Sequence, residues 1–168
     1  YQGLSAGKSI SVFWWELLPG LTISFDIEPL GMLFALVASF LWLVTMCYAI
    51  GYMRYHRENN QTRFYVCFAV AIGAVMGLAF SANLFTLFIF YEVLTLSTYP
   101  LVTHSGTEKA KKGGRTYLGI LLSTSIVFFL LAIVGTWLVA GTLDFKPGGI
   151  FADDVDKIVA GILLVLFI

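Results

Sequence analysis

The stretch FYVCFAVAIGAVMGLAFSANLFTLFIFYEVLTLSTYPLVT, residues 64–103, carries one charged side chain, Glu92. Drawn as a single α-helix, its 40 residues would rise about 60 Å, twice the ~30 Å hydrocarbon thickness of a bilayer. The run must break, and FSAN at 80–83 is the best place, with small and polar residues. Two spans follow, 64–81 and 83–103, and the acid sits inside the second.

Outward from this stretch, the same reading repeats. A charge-free run over 29–53 has the length of one transmembrane helix, a fourth covers 116–143, and residues 158–168 start a further one. The 168 residues are 59% hydrophobic and 12% charged, with a mean hydropathy of +0.88. A soluble domain carries about 25% charged residues, and four such apolar lengths in a row are hard to bury in one. The expected fold class is therefore an all-α polytopic membrane protein, a bundle of transmembrane helices in one membrane domain. Residues 1–28 precede it as an extracytoplasmic, interfacial segment. Within them VFWWELLPG (12–20) is aromatic and amphipathic, which suits the interface or a buried hairpin. The chain opens on Tyr1 without a Met and closes inside an apolar run. That run rises about 17 Å, half a bilayer core, so the sequence reads as a fragment of a longer polypeptide.

Charge sets the orientation. Loop 54–63 holds Arg54, Arg57 and Arg63 against Glu58, and loop 104–115 holds Lys109, Lys111, Lys112 and Arg115 against Glu108. Counting spans puts these two loops on one side. The uncharged 80–83 turn and the acidic 144–157 loop, with Asp144, Asp153, Asp154 and Asp156, share the other. The Lys/Arg bias places loops 54–63 and 104–115 in the cytoplasm.

Much other chemistry finds no support. Net charge is zero, so bulk charge suggests no nucleic-acid partner. Cys47 and Cys67 fall in apolar runs and read as small core residues rather than a disulfide or metal pair. EKAKKGGR (108–115) lacks the phosphate-loop spacing and any preceding strand. His56 and His104 sit at span ends and read as interfacial residues rather than ligands. No nucleophile–base pair and no dinucleotide fingerprint is present, and no cofactor or metal is expected.

Glu92 is the candidate functional residue. It lies nine residues from Asn83 and eleven from Thr103, about 14 and 17 Å, hence near the bilayer midplane. An acid there costs about 2.5–3.5 kcal/mol. The eleven Leu, Ile, Val and Phe residues of the span offset this at about 0.3–0.6 kcal/mol each. The span can insert, yet a leucine would insert more easily. At 100° per residue, Thr95, Tyr99 and Thr103 lie within about 60° of Glu92 toward the cytoplasmic side. Phe88 and Phe85 occupy the same face on the other side. Pro100 frees the carbonyl of Leu96 on nearly that face. The expectation is a half-channel from the cytoplasm to Glu92, closed beyond it by phenylalanines. The STS run, Ser123 to Ser125, reads as further polar lining, with Ser123 and Thr124 the candidates, or as simple helix packing. Two bland readings stand beside it: the hydroxyls bond neighbouring helices, or Glu92 is a structural acid. Gly73 and Gly77 suit close helix contact.

Four segments carry a family resemblance: FDIEPLGMLFALVASFLWLVTMCYAIGYM (25–53), SANLFTLFIFYEVLTLSTYPLV (81–102), GTEKAKKGGRTYLGILLSTS (106–125) and GTLDF (141–145). Together they resemble the antiporter-like subunits shared by respiratory complex I, membrane-bound hydrogenases and Mrp-type sodium/proton antiporters. The likeness is nearest to the D-type subunit of the Mrp antiporters, and it covers about 25–168. It implies a fragment of a roughly fourteen-helix fold with inverted repeats. It implies that Glu92 is the functional acid of the fifth helix. That acid's lysine partner would lie on the broken seventh helix, beyond Ile168, so Lys157 is not taken for it.

The function so implied is proton, or cation/proton, translocation by one membrane subunit of a multi-subunit Mrp-like antiporter. Other membrane subunits, the lipid bilayer, protons and, as second ion, Na+ would be its partners. The bacterial or archaeal inner membrane would be its location. The alternatives are a proton-pumping subunit of a redox complex (NADH–quinone oxidoreductase or membrane-bound hydrogenase), without a redox site of its own, and a structural membrane scaffold.

Overall fold

The computed structural model describes residues 10–18, 21–146, 148–151 and 155–167. Pro19 and Gly20 of the VFWWELLPG segment, and Asp153 and Asp154 of the acidic loop, lie outside them.

Strands β1 (Ile10–Leu18) and β2 (Leu21–Ile27) form an antiparallel hairpin, with register shifts at Phe13/Trp15 and Glu16/Leu18. Alternating β-branched and aromatic residues favour this pairing. The strand residues 11–17 are exposed, so what the sequence offered as a buried hairpin or an interfacial segment is a hairpin with one open strand. It precedes a mostly helical molecule.

Helix α1 spans Pro29–Tyr55, α2 Gln61–Ala79 and α3 Leu84–Val102. Helix α4 (Glu108–Thr124) continues through a π-helical turn at Ser125–Phe129 into α5 (Leu130–Ala140), making one rod of 33 residues. Helix α6 covers Lys157–Phe167. Among the described residues four helices, counting the rod as one, are long and apolar enough to cross a membrane.

Local chemistry sets the ends. Pro29 begins α1, where its missing N–H would have had no partner. The Gln61 amide closes the other end, donating to the carbonyls of Met53 (3.2 Å) and Glu58 (3.0 Å). Asn60 takes the left-handed conformation, φ 57°, that Asn tolerates before α2. Gly141, φ 68°, ends α5 in the same conformation.

The fourth long helix begins earlier than charge counting suggests. Thr107 caps it, its Oγ1 accepting from the Ala110 N–H at 3.2 Å, and Glu108 in the first turn complements the helix dipole. Lys109, Lys111, Lys112 and Arg115 therefore sit on the first turns of α4, not in a loop. The connection itself is short, and 104–115 as a loop is corrected to that extent. Lysine stems can run along a helix and keep their charge in water, so such a run need not end a helix.

Helices α2 and α3 make the most extensive helix–helix contact. Gly77 allows it: a Cβ there would collide with the Phe90 ring. Gly73, expected to share this role, is exposed and faces open space. The core is small, with Leu84, Ile133 and Leu143 buried and Phe85, Phe88, Phe129, Ile150 and Phe167 around them. Cys47 is exposed and Cys67 half-buried, both free thiols, so Cys47 is not the core residue the sequence suggested. Along α1 large apolar side chains such as Leu36, Phe40 and Leu43 point outward, as a lipid-facing or partner-facing helix requires.

Candidate functional site

The site is built on α3, and the start of α3 is pinned from three directions. The Asn83 side chain accepts a 2.7 Å hydrogen bond from the Thr86 N–H, capping the helix. Its amide donates to the Thr22 carbonyl and to Ser24 Oγ, both at 2.9 Å, tying the helix start to β2. The Ser24 N–H in turn donates to Thr86 Oγ1 (3.1 Å). Backbone bonds complete the clamp. Asp26 donates to Phe80 (2.8 Å) and Ala82 to Ser24 (3.0 Å), while Leu84 donates to Leu143 and Phe145 to Ala82, both at 3.0 Å. The 80–83 turn is thus held between the hairpin and the segment after α5, and the register of α3 is fixed.

Two turns further along α3 stands Glu92. It is half-buried, and its Oε1 is shielded from solvent without a hydrogen-bond partner among the described residues. Buried polar atoms are rarely left so, and such an atom points to a function or to an absent partner. Toward the basic end, Thr95 and Thr103 are buried and Tyr99 is half-buried. The Thr103 hydroxyl donates to the Tyr99 carbonyl at 2.9 Å. Pro100 lies inside the helix here, so the Leu96 carbonyl has no N–H four residues on to receive.

Toward the hairpin end, Phe85 and Phe88 pack on the Leu84–Ile133–Leu143 core. Phe129 gathers the aromatic rings: it meets Phe88 at 5.6 Å, Tyr91 at 5.7 Å and Phe167 at 5.8 Å, all edge to face. Phe129 comes from the π-helical turn, a feature that recurs at functional sites.

Two cavities flank α3. One, of about 640 Å³, is lined by Leu87, Tyr91, Thr124, Ser125, Phe129 and Leu166 among others. The other, of about 450 Å³, opens at the basic end and includes Tyr99, Thr103, His104, Glu58, Arg63 and Arg115.

The structure thus sorts the sequence-predicted residues. Glu92, Thr95 and Tyr99 share α3 and Thr103 caps its end, and Tyr99 and Thr103 also share the basic-end cavity. Thr124 reaches the other cavity, although its hydroxyl bonds the carbonyls of Ile120 (3.0 Å) and Leu121 (2.9 Å). Ser123 is exposed and lines neither cavity. Sequence reasoning took in Ser125 only as part of the STS run, without singling it out, and it is buried on the Tyr91 cavity; it missed His104. The STS run contained the first signal. The second, a histidine one residue past Thr103, was present but looked interfacial.

Residues 81–167, just over half of the chain, match the family described as "NADH:quinone oxidoreductase/Mrp antiporter, TM". Residues 18–65 match "NADH-Ubiquinone oxidoreductase (complex I), chain 5 N-terminus". Among curated relatives, the N-type subunit of NADH-quinone oxidoreductase from Campylobacter jejuni is 28% identical over 122 residues, 73% of this chain and 26% of that protein. The D-type Na(+)/H(+) antiporter subunit of Alkalihalophilus pseudofirmus is 26% identical over 158 residues, 91% of this chain and 31% of that protein. Among solved structures, a chain of the membrane-bound sulfane sulfur reductase, an archaeal respiratory membrane complex, superposes with a TM-score of 0.74 at 24% identity. That match covers 98% of this chain and 33% of the other, and it speaks to fold alone. The chain spans about a quarter to a third of the length of these proteins.

Proposed function

This chain belongs to the NADH:quinone oxidoreductase/Mrp antiporter transmembrane family, and from that premise we propose that it forms part of a proton-translocating subunit of an Mrp-like cation/proton antiporter, with Glu92 as the proton carrier. It is a multi-pass membrane protein whose relatives are subunits of larger membrane complexes. The observation that carries the reading is the Glu92 carboxylate: its Oε1 is shielded and without a hydrogen-bond partner among the described residues, in the middle of a 19-residue apolar helix. An acid so placed is costly in a membrane and points to function.

In this reading protons reach Glu92 from the cytoplasm past Thr103, Tyr99 and Thr95. The Phe85–Phe88–Phe129 cluster blocks onward leakage. Thr124 and Ser125 face the Tyr91 side, where a mobile cation partner would meet the acid; Ser123 has no part. A lysine near the acid favours the carboxylate, and its withdrawal favours the protonated form. Moving one charge against 100 mV requires about 2.3 kcal/mol, which an Na+ gradient would supply. The inner membrane of a bacterium or archaeon is the setting, with the 54–63 connection and the start of α4 in the cytoplasm.

A second reading has its own support. The Campylobacter relative is named for NADH–quinone oxidoreduction, so redox chemistry in a neighbouring subunit is the alternative drive. Everted vesicles holding the complete complex separate the two. Proton movement driven by an imposed Na+ gradient, and lost in Glu92→Gln, supports antiport. Proton movement that answers only to NADH supports the redox-driven reading. Gradient- or NADH-driven flux unchanged by Glu92→Gln would sink both.

A further inference from the structure

The geometry points to His104, facing Glu58, as the proton-uptake relay at the cytoplasmic mouth of the path to Glu92. This rests on the proposed role of Glu92 and adds a residue that role does not use.

His104 follows directly on the last path residue, Thr103. Its side chain is only 13% exposed, and both ring nitrogens are buried without a hydrogen-bond partner among the described residues. A histidine kept for structure normally engages at least one nitrogen, because a buried unsatisfied polar group costs about 1–3 kcal/mol. The ring is held by contact instead, edge-on to Phe64 at 5.4 Å. Its Nε2 lies 4.0 Å from Glu58 Oε2, just beyond hydrogen-bond reach.

The surroundings suit proton uptake. His104, Thr103 and Tyr99 line one cavity of about 450 Å³ whose remaining wall is mostly polar. The charged groups facing His104 there are Glu58 from the α1–α2 connection, Arg63 from α2, and Lys111 and Arg115 from α4. Lys111 is bonded to Glu108 at 2.9 Å, which leaves Glu58 as the acid nearest the ring. Glu58 is 40% exposed and can collect protons from bulk water.

Imidazole ionises between pH 5 and 8 and can accept on one nitrogen while donating from the other. A proton collected by Glu58, whose Oε2 lies 4.0 Å from Nε2, passes to that nitrogen on a small side-chain movement, giving an imidazolium beside the restored carboxylate. The proton on the other nitrogen then leaves toward Thr103 and Tyr99. The ring returns to neutral, and a flip restores its starting tautomer.

The test uses the complete complex in everted vesicles, with proton flux followed by a pH-sensitive dye and subunit levels by immunoblot. His104→Gln is expected to slow flux on the order of tenfold, less than the roughly 10²–10⁴-fold contribution of a proton-transfer group at a reacting centre, because water partly substitutes. Added imidazole is expected to restore part of the rate to His104→Gly and none to Glu92→Gln. Glu58→Gln is expected to slow flux as well, since the carboxylate facing the ring nitrogen is gone. Should the His104 variants fail to assemble, flux in Glu58→Gln decides. Wild-type flux in His104→Gln, slow flux without imidazole rescue, or wild-type flux in Glu58→Gln would overturn the relay. If Glu92→Gln abolishes flux in that same series, the Glu92 reading survives that failure.

Discussion

Gly114 of α4 lies directly against Thr103, the residue that caps the end of α3: a Cβ on the glycine would collide with the Thr103 methyl and sit 3.2 Å from the Tyr99 ring. α4 meets the end of α3 where the proposed path opens, and it can come this near only because Gly114 lacks a side chain. Gly114→Ala should therefore push α4 away from Thr103 and Tyr99. Overpacking of this kind costs about 1–3 kcal/mol, and flux should fall with it. Gly113→Ala is the control, since nothing lies within 4 Å of that position. It should be neutral or stabilising by up to about 1 kcal/mol. Thermal unfolding of the detergent-solubilised complex, read beside vesicle flux, compares the two.

Asn83 should matter for stability more than any other polar residue of α3. It is 2% exposed and serves as both helix cap and bridge to the hairpin. Asn83→Ala loses a cap worth about 0.5–2 kcal/mol and strands buried partners at about 1–3 kcal/mol. A combined loss of about 2–4 kcal/mol is expected in thermal unfolding. Asn83→Asp keeps the cap acceptor but not the donor, and should fall between.

A one-sided path predicts one-sided reactivity. With Cys47 and Cys67 replaced by Ala, single cysteines at Thr95 and Thr103 should react with a small water-soluble thiol reagent, because only a wetted thiol ionises. Cysteines at Phe85 and Phe88, within the aromatic and apolar cluster, should react on the order of tenfold more slowly. Equal rates at all four positions would mean that no such asymmetry exists.

Orientation has its own check. Single cysteines at Arg57 and Lys112 should be labelled by an impermeant reagent from the cytoplasmic side, and one at Lys146 from the other, as the Lys/Arg bias requires. Labelling of Lys112 and Lys146 from the same side would break the arrangement.

What could be read in the sequence was whatever depends on length and charge. A 40-residue run with one charge cannot be a single span, and Glu92 announces itself by standing alone. The start of α4 was harder, because counting uncharged residues stops at Arg115, whereas a helix can carry lysines out into the headgroup region. The π-helical turn at Ser125–Phe129 has no local sequence signal. Ser123 and Ser125 lie about 200° apart on a helix, so only one of the two can turn inward, and it is Ser125. Asn83 looked like a turn residue. Its partners Thr22 and Ser24 are about sixty positions away, and only the folded hairpin brings them in. His104 looked interfacial for the same reason, since Phe64 of α2, which covers it, is distant in sequence.

The central claim is that the Glu92 carboxylate carries the transported proton. The most direct measurement is proton flux into everted vesicles containing the complete complex, for the parent protein, Glu92→Gln and Glu92→Asp, with subunit levels matched by immunoblot. Glutamine keeps the shape and loses the titratable group, so its flux should drop on the order of 10²-fold or more, while aspartate should retain part of the rate. Flux in Glu92→Gln equal to the parent's would contradict the account.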